Sequence, residues 1–280
     1  LEKVEEFYKT LSGRKISLQI YTEKGREHMC DFAMEFLKKA MRWDEENYKF
    51  ECDLDEYKIV AAKDFNFGAM ENKGLNVFND AYVLADPKTA TDRDIMSICF
   101  TVSHEFFHNV TGNRVTINNW FEDVLKEGLT VFREQEFTYS MWPKVVERIR
   151  HVRRIKIDLF PNESLPNPRP VRLHKYKVAE ETFDGPANYV KSPEVKRILC
   201  NLLGEKKYMK GLIKFLRNFD GKSASTEDMI DTFAKLYPDA INYKQFLKWY
   251  DEPGTARFIV TQSFDEKKKI LKESHLELNK

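Results

Sequence analysis

The sequence predicts an α+β protein on three observations. Strand-type runs fall mainly in the first eighty residues, helix-period patterns take over from Thr91, and several of those patterns open on helix-capping residues.

Lys15–Tyr21 (KISLQIY) alternates polar and apolar residues, the mark of a half-buried strand. From Glu27 to Trp43, apolar residues recur at helical spacing (Met29, Phe32, Ala33, Phe36, Leu37, Ala40), which predicts an amphipathic helix. Tyr57–Ala62 (YKIVAA) is a short apolar run suited to a buried strand, and Gly74–Asn79 (GLNVFN) is another. Thr91 with Asp94 resembles a capping box, and Ile95, Ile98, Cys99 and Val102 continue the helix it opens. Trp120–Tyr139 and Lys144–Leu159 are further helical patterns, and the basic run Arg148–Lys156 reads as a solvated face. Pro161–Pro186 is irregular and rich in proline. Ser192-Pro193 starts a helix with Pro at the first helical position, Gly204 stops it, and Ser225 with Asp228 starts another. Beyond Pro253-Gly254 the pattern returns to strand-like runs (Arg257–Gln262) and a Lys-rich tail. We therefore expect one domain over residues 1–253 and the start of a following β-rich domain or tail over 254–280.

The chain has 280 residues, 32% charged and 42% hydrophobic, an ordinary globular mix. Its formal net charge of +1 gives no global field that would favour nucleic acid or an anionic membrane, so neither partner is expected. No apolar run approaches the roughly 18 residues of a membrane helix, and LEKVEEFYKT is charged from its second residue, unlike a signal peptide. Cys30, Cys52, Cys99 and Cys200 form no CxxC pair, which argues against a cysteine-built zinc cluster. Cys99 and Cys200 read as buried thiols, in keeping with a reducing, intracellular and cytoplasmic setting. The chain lacks an initiator Met and opens as if in mid-sequence, as a piece of a longer protein would.

The residues with chemistry centre on His104-Glu105-Phe106-Phe107-His108. Residues four apart share a helix face, so both imidazoles could reach one metal ion while Glu105 stands beside the open coordination position. Alone, the pentapeptide also fits a helix with two exposed histidines. Glu127, 19 residues after His108, tips the balance. A turn at Gly112-Asn113-Arg114 and a second helix return it to the first, on a face otherwise built of Trp120, Val124 and Val131. A carboxylate on an apolar face needs a partner, which a metal ion supplies. Two His and one Glu leave a fourth position for water, the pattern of a catalytic zinc site with one ion per chain. The remaining histidines (His28, His151, His174, His275) have no ligand spacing.

Gly68-Ala69-Met70-Glu71-Asn72 follows an apolar strand. Gly68 permits another backbone to approach, and Glu71 offers a carboxylate on an edge strand that an extended peptide could join. The same residues also suit an ordinary bend with a solvated Glu.

GAMEN, HEFFHNVTGNRV and WFEDVLKEGLTVFREQEF together resemble the aminopeptidase N type of zinc metallopeptidase, the alanyl aminopeptidases, over about Ser12 to Gly254. The resemblance implies a thermolysin-like catalytic domain, a mixed sheet followed by a mainly helical lobe, set between flanking domains. It implies zinc ligation by His104, His108 and Glu127, general-base work by Glu105, substrate binding by Gly68, Ala69, Met70, Glu71 and Asn72, and capture of the free α-amino group by Glu71. Phe67 then borders the pocket for the substrate's first side chain. A tyrosine that holds the oxyanion falls at Tyr189, with Tyr176 as the alternative, although Tyr189-Val190-Lys191-Ser192 departs from the usual Tyr-Glu-Lys-Gly. The implied substrates are peptides with a free N-terminus, trimmed one residue at a time. Two other readings stand beside this one: a bifunctional enzyme of the leukotriene-hydrolase type, against which Ala69 argues, and a catalytically impaired zinc-binding domain.

Overall fold

In the computed structural model, which describes residues 1–183 and 185–278, β1 (Glu2–Lys9), β2 (Lys15–Thr22), β3 (Glu56–Ala62), β4 (Ala69–Met70) and β5 (Leu75–Asn79) form one mixed sheet in the order β1-β2-β3-β5-β4. The β2–β3 and β3–β5 pairs are parallel, and both edges are antiparallel. Alternation decides which face is buried: Ile16, Leu18 and Ile20 of β2, Ile59 and Ala61 of β3 and Phe78 of β5 all point into the core. The strand β1 goes beyond the sequence expectations. Most of its side chains are exposed, and its place is fixed by pairing with β2 along its whole length.

Helix α1 (Asp31–Asn47) covers this sheet with Ala33, Met34, Phe36, Leu37, Ala40 and Met41. It starts later and ends later than the period alone predicts, because Glu27–Met29 is a separate 3₁₀ turn. Helix α2 (Asp92–His108) opens on the expected capping box: Thr91 Oγ1 accepts from the Asp94 amide at 3.3 Å, and Asp94 Oδ2 accepts from the Thr91 amide at 2.9 Å. Its apolar side, Ile98, Cys99, Val102 and Phe106, completes this first core.

A second core builds the helical lobe. The short β6 (Val115–Ile117) follows α2, and α3 (Asp123–Met141) begins after a 3₁₀ turn at Trp120–Glu122. That turn leaves Trp120 exposed, off the apolar face expected to hold it with Val124 and Val131. The expected basic helix is α4 (Lys144–Arg154), continued by a π-helical stretch over Ile155–Leu159 and the single turn α5 (Phe160–Glu163). Arg148 and Arg150 of that face are paired, with Glu194 and Glu147. A second π-helical stretch, Pro186–Lys191, runs directly into α6 (Ser192–Leu203), so the chain is already helical before Ser192. Helices α7 (Glu205–Asn218), α8 (Thr226–Leu236) and α9 (Tyr243–Asp251) pack around α3 and α6 through Leu125, Leu129, Phe132, Leu199, Phe215 and Phe233. Between α7 and α8, β7 (Lys222–Ala224) pairs in parallel with β6 and ties the loop after α2 to this lobe. The chain ends in an antiparallel hairpin, β8 (Arg257–Asp265) and β9 (Ile270–Leu278), which pairs with no other strand among the described residues. No described helix is long and apolar enough to cross a membrane. Cys99 is buried as expected, whereas Cys200 is half-buried.

Two contacts set α3 in place. Fully buried Arg133 donates to the Phe107 carbonyl at 2.9 Å and Thr111 Oγ1 at 3.2 Å, pairs with Asp44 on α1, and lies 4.7 Å over the Tyr48 ring. On the other side, α6 presses against Gly128, where a Cβ would stand 2.2 Å from Ser192 Oγ and 2.5 Å from Lys196 Nζ. Ser192 Oγ and Lys196 Nζ both donate to the Val124 carbonyl, at 2.7 and 2.9 Å. Burial drives the Lys196 ammonium down to about 7, with Glu122 pulling the other way.

Asp44→Ala would leave Arg133 charged and buried without a counter-ion. It should lower unfolding stability by about 3–5 kcal/mol, read as a lower denaturation midpoint. Lys196 carries the opposite sign. A base whose folded value of about 7 lies below the unfolded 10.5 costs most below pH 7 and nothing above about pH 10.5. The stability of Lys196→Met minus that of the native protein should therefore fall steadily between pH 7 and pH 10, measured by chemical denaturation.

Candidate metal centre and active site

The site lies where the two cores meet, between the C-terminal turns of α2 and the first half of α3. His104 and His108 are one turn apart on α2, and Glu127 faces them from α3. The loop between the helices turns at Gly112, whose φ of 137° lies in the region that favours glycine, and an added Cβ would come within 3.0 Å of His108 Nδ1.

Three ligand atoms converge. His104 Nε2 and His108 Nε2 are 3.0 Å apart, and Glu127 Oε2 is 3.2 Å from each. Ligands about 2.0–2.1 Å from a tetrahedral ion stand about 3.3 Å from one another, close to these edges. The outer nitrogens are committed elsewhere: His108 Nδ1 lies 2.8 Å from the Thr111 carbonyl, and His104 Nδ1 lies 3.2 Å from Glu134 Oε2. A carbonyl can only accept, so His108 carries its proton on Nδ1 and turns a lone pair on Nε2 inward; the Glu134 carboxylate imposes the same tautomer on His104. Two inward lone pairs and a buried carboxylate oxygen at 3 Å are unfavourable without a cation between them. The local field favours one. Burial opposes charge on His104, yet Glu127 and Glu134 hold the imidazole well above its ordinary value, the same pull they would exert on a metal ion in place of the proton on Nε2. Burial likewise opposes ionisation of Glu127, but His108, Lys126 and His104 hold it well below the usual carboxylate range. These three donors could hold one metal ion, and the C-terminal end of α2 adds favourable helix-dipole potential.

Two more carboxylates border the cluster. Glu105 is buried, its Oε2 has no hydrogen-bond partner among the described residues, and burial pushes its carboxyl up to about 7 against the pull of His104 and His108. Glu71 is buried at the end of the sheet. Burial opposes its charge, but His108 and Lys126 keep it below the usual carboxylate value. The backbone of this stretch is held by Asn113 Nδ2, which donates to the Glu71 carbonyl at 2.9 Å. Ala69 and Met70 form the edge strand β4, and the Gly68 carbonyl accepts from the Asn79 amide at 2.9 Å. A Cβ on Gly68 would touch only the Tyr82 ring at 3.9 Å, so the chain's own packing does not demand glycine there. Asn72 closes the turn into β5 with its carbonyl. Phe67 is 67% exposed and meets the Phe65 ring edge-on.

Tyr189 belongs to the cluster. Its ring centroid is 6.0 Å from that of His104, and burial together with Glu127 and Asp123 raises its hydroxyl far above the ordinary value, so it stays protonated. Tyr176 is instead packed on Phe121, with ring centroids 4.9 Å apart. Of the other histidines, His151 bonds the Tyr139 hydroxyl, and His28 and His174 are exposed beside Asp86 and Asp251. The side chain of His275 lies outside the described residues.

Sequence reasoning passed over Lys126 and Glu134. Lys126 Nζ sits among three carboxylates, 3.1 Å from Glu71 Oε1, 3.3 Å from Asp123 Oδ1 and bonded to Glu127. Adjacent residues on a helix do not share a face, so no periodicity points to it. Glu134 was legible: it stands seven residues after Glu127, two turns along the same face.

Comparison with known proteins agrees with this geometry. Residues 32–250 match the peptidase family M1 domain. The chain is 42% identical to aminopeptidase N of Haemophilus influenzae and 40% identical to aminopeptidase N of Escherichia coli, in each case over 94% of this chain and 30% of the relative. It superposes on Legionella pneumophila aminopeptidase A, solved in complex with aspartic acid, with a TM-score of 0.84 and 32% identity, covering 99% of this chain and 31% of that one. The chain thus spans less than a third of the length of these relatives. The mixed sheet followed by a helical lobe is the fold of an M1 aminopeptidase domain. Family match, identity and fold coincide with the helix pair that gathers His104, His108 and Glu127, and the chain belongs to peptidase family M1.

Proposed function

We propose that this chain is the catalytic domain of a zinc aminopeptidase that removes single residues from the free N-terminus of peptides. The observation that carries the proposal is the triangle of His104 Nε2, His108 Nε2 and Glu127 Oε2, with both outer imidazole nitrogens committed and two further carboxylates at its border. The names of its relatives point the same way.

His104, His108 and Glu127 would hold one Zn²⁺, which when bound polarises the scissile carbonyl and acidifies water. Glu105 is the general base: it takes a proton from water on its unpartnered Oε2 and returns it to the leaving amine. The Tyr189 hydroxyl, held protonated, donates to the developing oxyanion. An extended peptide adds to β4 at the sheet edge, along Gly68–Asn72. Its ammonium meets ionised Glu71, which measures one residue from the terminus. Phe67, at the head of this strand, borders the first side chain. A phenyl ring adapts less than the flexible methionine such a pocket could carry, so we assign it a narrow preference among apolar residues.

We assign residues 1–253 to the catalytic domain and 254–280 to the beginning of a following β domain. Support for the boundary is the terminal hairpin, which exposes Phe258, Ile259, Val260, Phe264, Ile270 and Leu271. A two-stranded hairpin with that much apolar surface needs further strands against it.

Elemental analysis should find one zinc per chain. Glu134→Ala, which frees His104 Nδ1, should weaken zinc affinity by about 10- to 100-fold. Glu105→Gln should retain zinc and lose turnover of an alanyl amide. Wild-type turnover in that variant would remove Glu105 from the reaction. Tyr189→Phe should lower kcat by about 100-fold or more with KM little changed. Equal rates would exclude the hydroxyl as the oxyanion donor.

A further inference from the structure

We propose that Asn188 and Asp123 form a positioning pair that fixes the Tyr189 hydroxyl relative to Glu127. The inference rests on the assignment of Tyr189 as oxyanion donor. Asn188 is fully buried, in the π-helical stretch immediately before Tyr189. Its amide nitrogen uses both hydrogens: one goes to the Thr182 carbonyl at 2.9 Å, the other to Asp123 Oδ2 at 2.5 Å. The Thr182 carbonyl can only accept, so the amide cannot be turned over, and the hydrogen aimed at Asp123 is fixed.

Asp123 is the first residue of α3, one helical turn before Glu127 on the same face. Its second oxygen lies 3.3 Å from Lys126 Nζ, which also bonds Glu127. The pair thus links the residue before Tyr189 to the helix that carries a metal donor, by one hydrogen bond and one shared cation. Downstream of Tyr189, Ser192 Oγ binds the Val124 carbonyl in the same turn of α3. The segment bearing Tyr189 is therefore pinned to one turn of α3 on both sides.

The pair is a poor device for stability alone. Asn188 Oδ1 is buried with no hydrogen-bond partner among the described residues, an arrangement that an apolar side chain of similar shape would relieve. Asn188→Leu removes that orphan oxygen while leaving Asp123 Oδ2 without its donor, so gain and cost in stability offset and the tether is what changes.

The test uses the full-length, zinc-loaded protein and a double-mutant cycle of Asn188→Leu with Tyr189→Phe, reading kcat and KM on an alanyl amide, zinc content and the thermal midpoint. Asn188→Leu should lower kcat about tenfold or more, because small misplacements of a catalytic group carry large rate losses. KM and zinc content should stay within about twofold and the thermal midpoint within a few degrees. In the Tyr189→Phe background the same substitution should cost less than about twofold, since the group it positions is gone. Asn188→Ala serves as the second variant should leucine prevent folding. Wild-type kcat in both Asn188 variants, an equal loss in the two backgrounds, or loss of zinc would each overturn the proposal. If Tyr189→Phe is impaired while the Asn188 variants are not, the tether fails and the Tyr189 assignment stands. If Tyr189→Phe is itself fully active, that assignment fails, and the positioning role with it.

Discussion

The spacing between α2 and α3 is the constraint on which the site depends, and Arg133 holds it. One guanidinium on α3 grips the last turn of α2 through the Phe107 carbonyl, the loop through Thr111 and α1 through Asp44, with aromatic rings stacked about it. A charge this deeply buried is tolerated only with its counter-ion and acceptors in place. The three backbone elements therefore cannot drift separately. Because His108 ends α2 and Glu127 lies six residues before Arg133, the same grip sets the distance across which imidazole and carboxylate meet.

The electrostatics follow from placing this junction between two apolar cores. Phe106 and Phe107 belong to the sheet-side core, while Val124, Leu125 and Leu129 belong to the helical one. Little water reaches the charges enclosed between them, so each must be answered by a neighbour. Lys126 answers Glu71, Asp123 and Glu127 together. Glu105 has no such partner, and its carboxyl rises accordingly. The charge states of these carboxyls are thus set by proximity to one lysine and to two imidazoles.

Much of this was legible in the sequence because local rules decided it. The capping pairs Thr91–Asp94 and Ser225–Asp228 both formed, alternation identified β2, and short apolar runs identified β3 and β5. The donors His104, His108 and Glu127 come together as helical spacing required. Failures occur where distant chain decides. The strand β1 is charged and mostly exposed, and exists through its partner. Two-residue β4 is defined only by its ladder to β5. Gly204 ends α6 as expected, its φ of 77° making a corner, but α7, which begins at the next residue, had no local signal that was read. Asp123 and Asn188 are 65 residues apart, and nothing local announces their bond.

The π-helical stretch Pro186–Lys191 carries a consequence for comparing relatives. A π turn holds one residue more than an α turn of equal length. Deleting any single residue there could relax the stretch to a regular helix continuous with α6, with composition and hydrophobic pattern almost unchanged. Everything upstream would nevertheless rotate by about 100° against α6 and swing away from the cleft. Among homologues, a one-residue gap between this tyrosine and α6 would therefore turn its ring away from His104 even where every motif is intact, so that segment length is itself a heritable structural character.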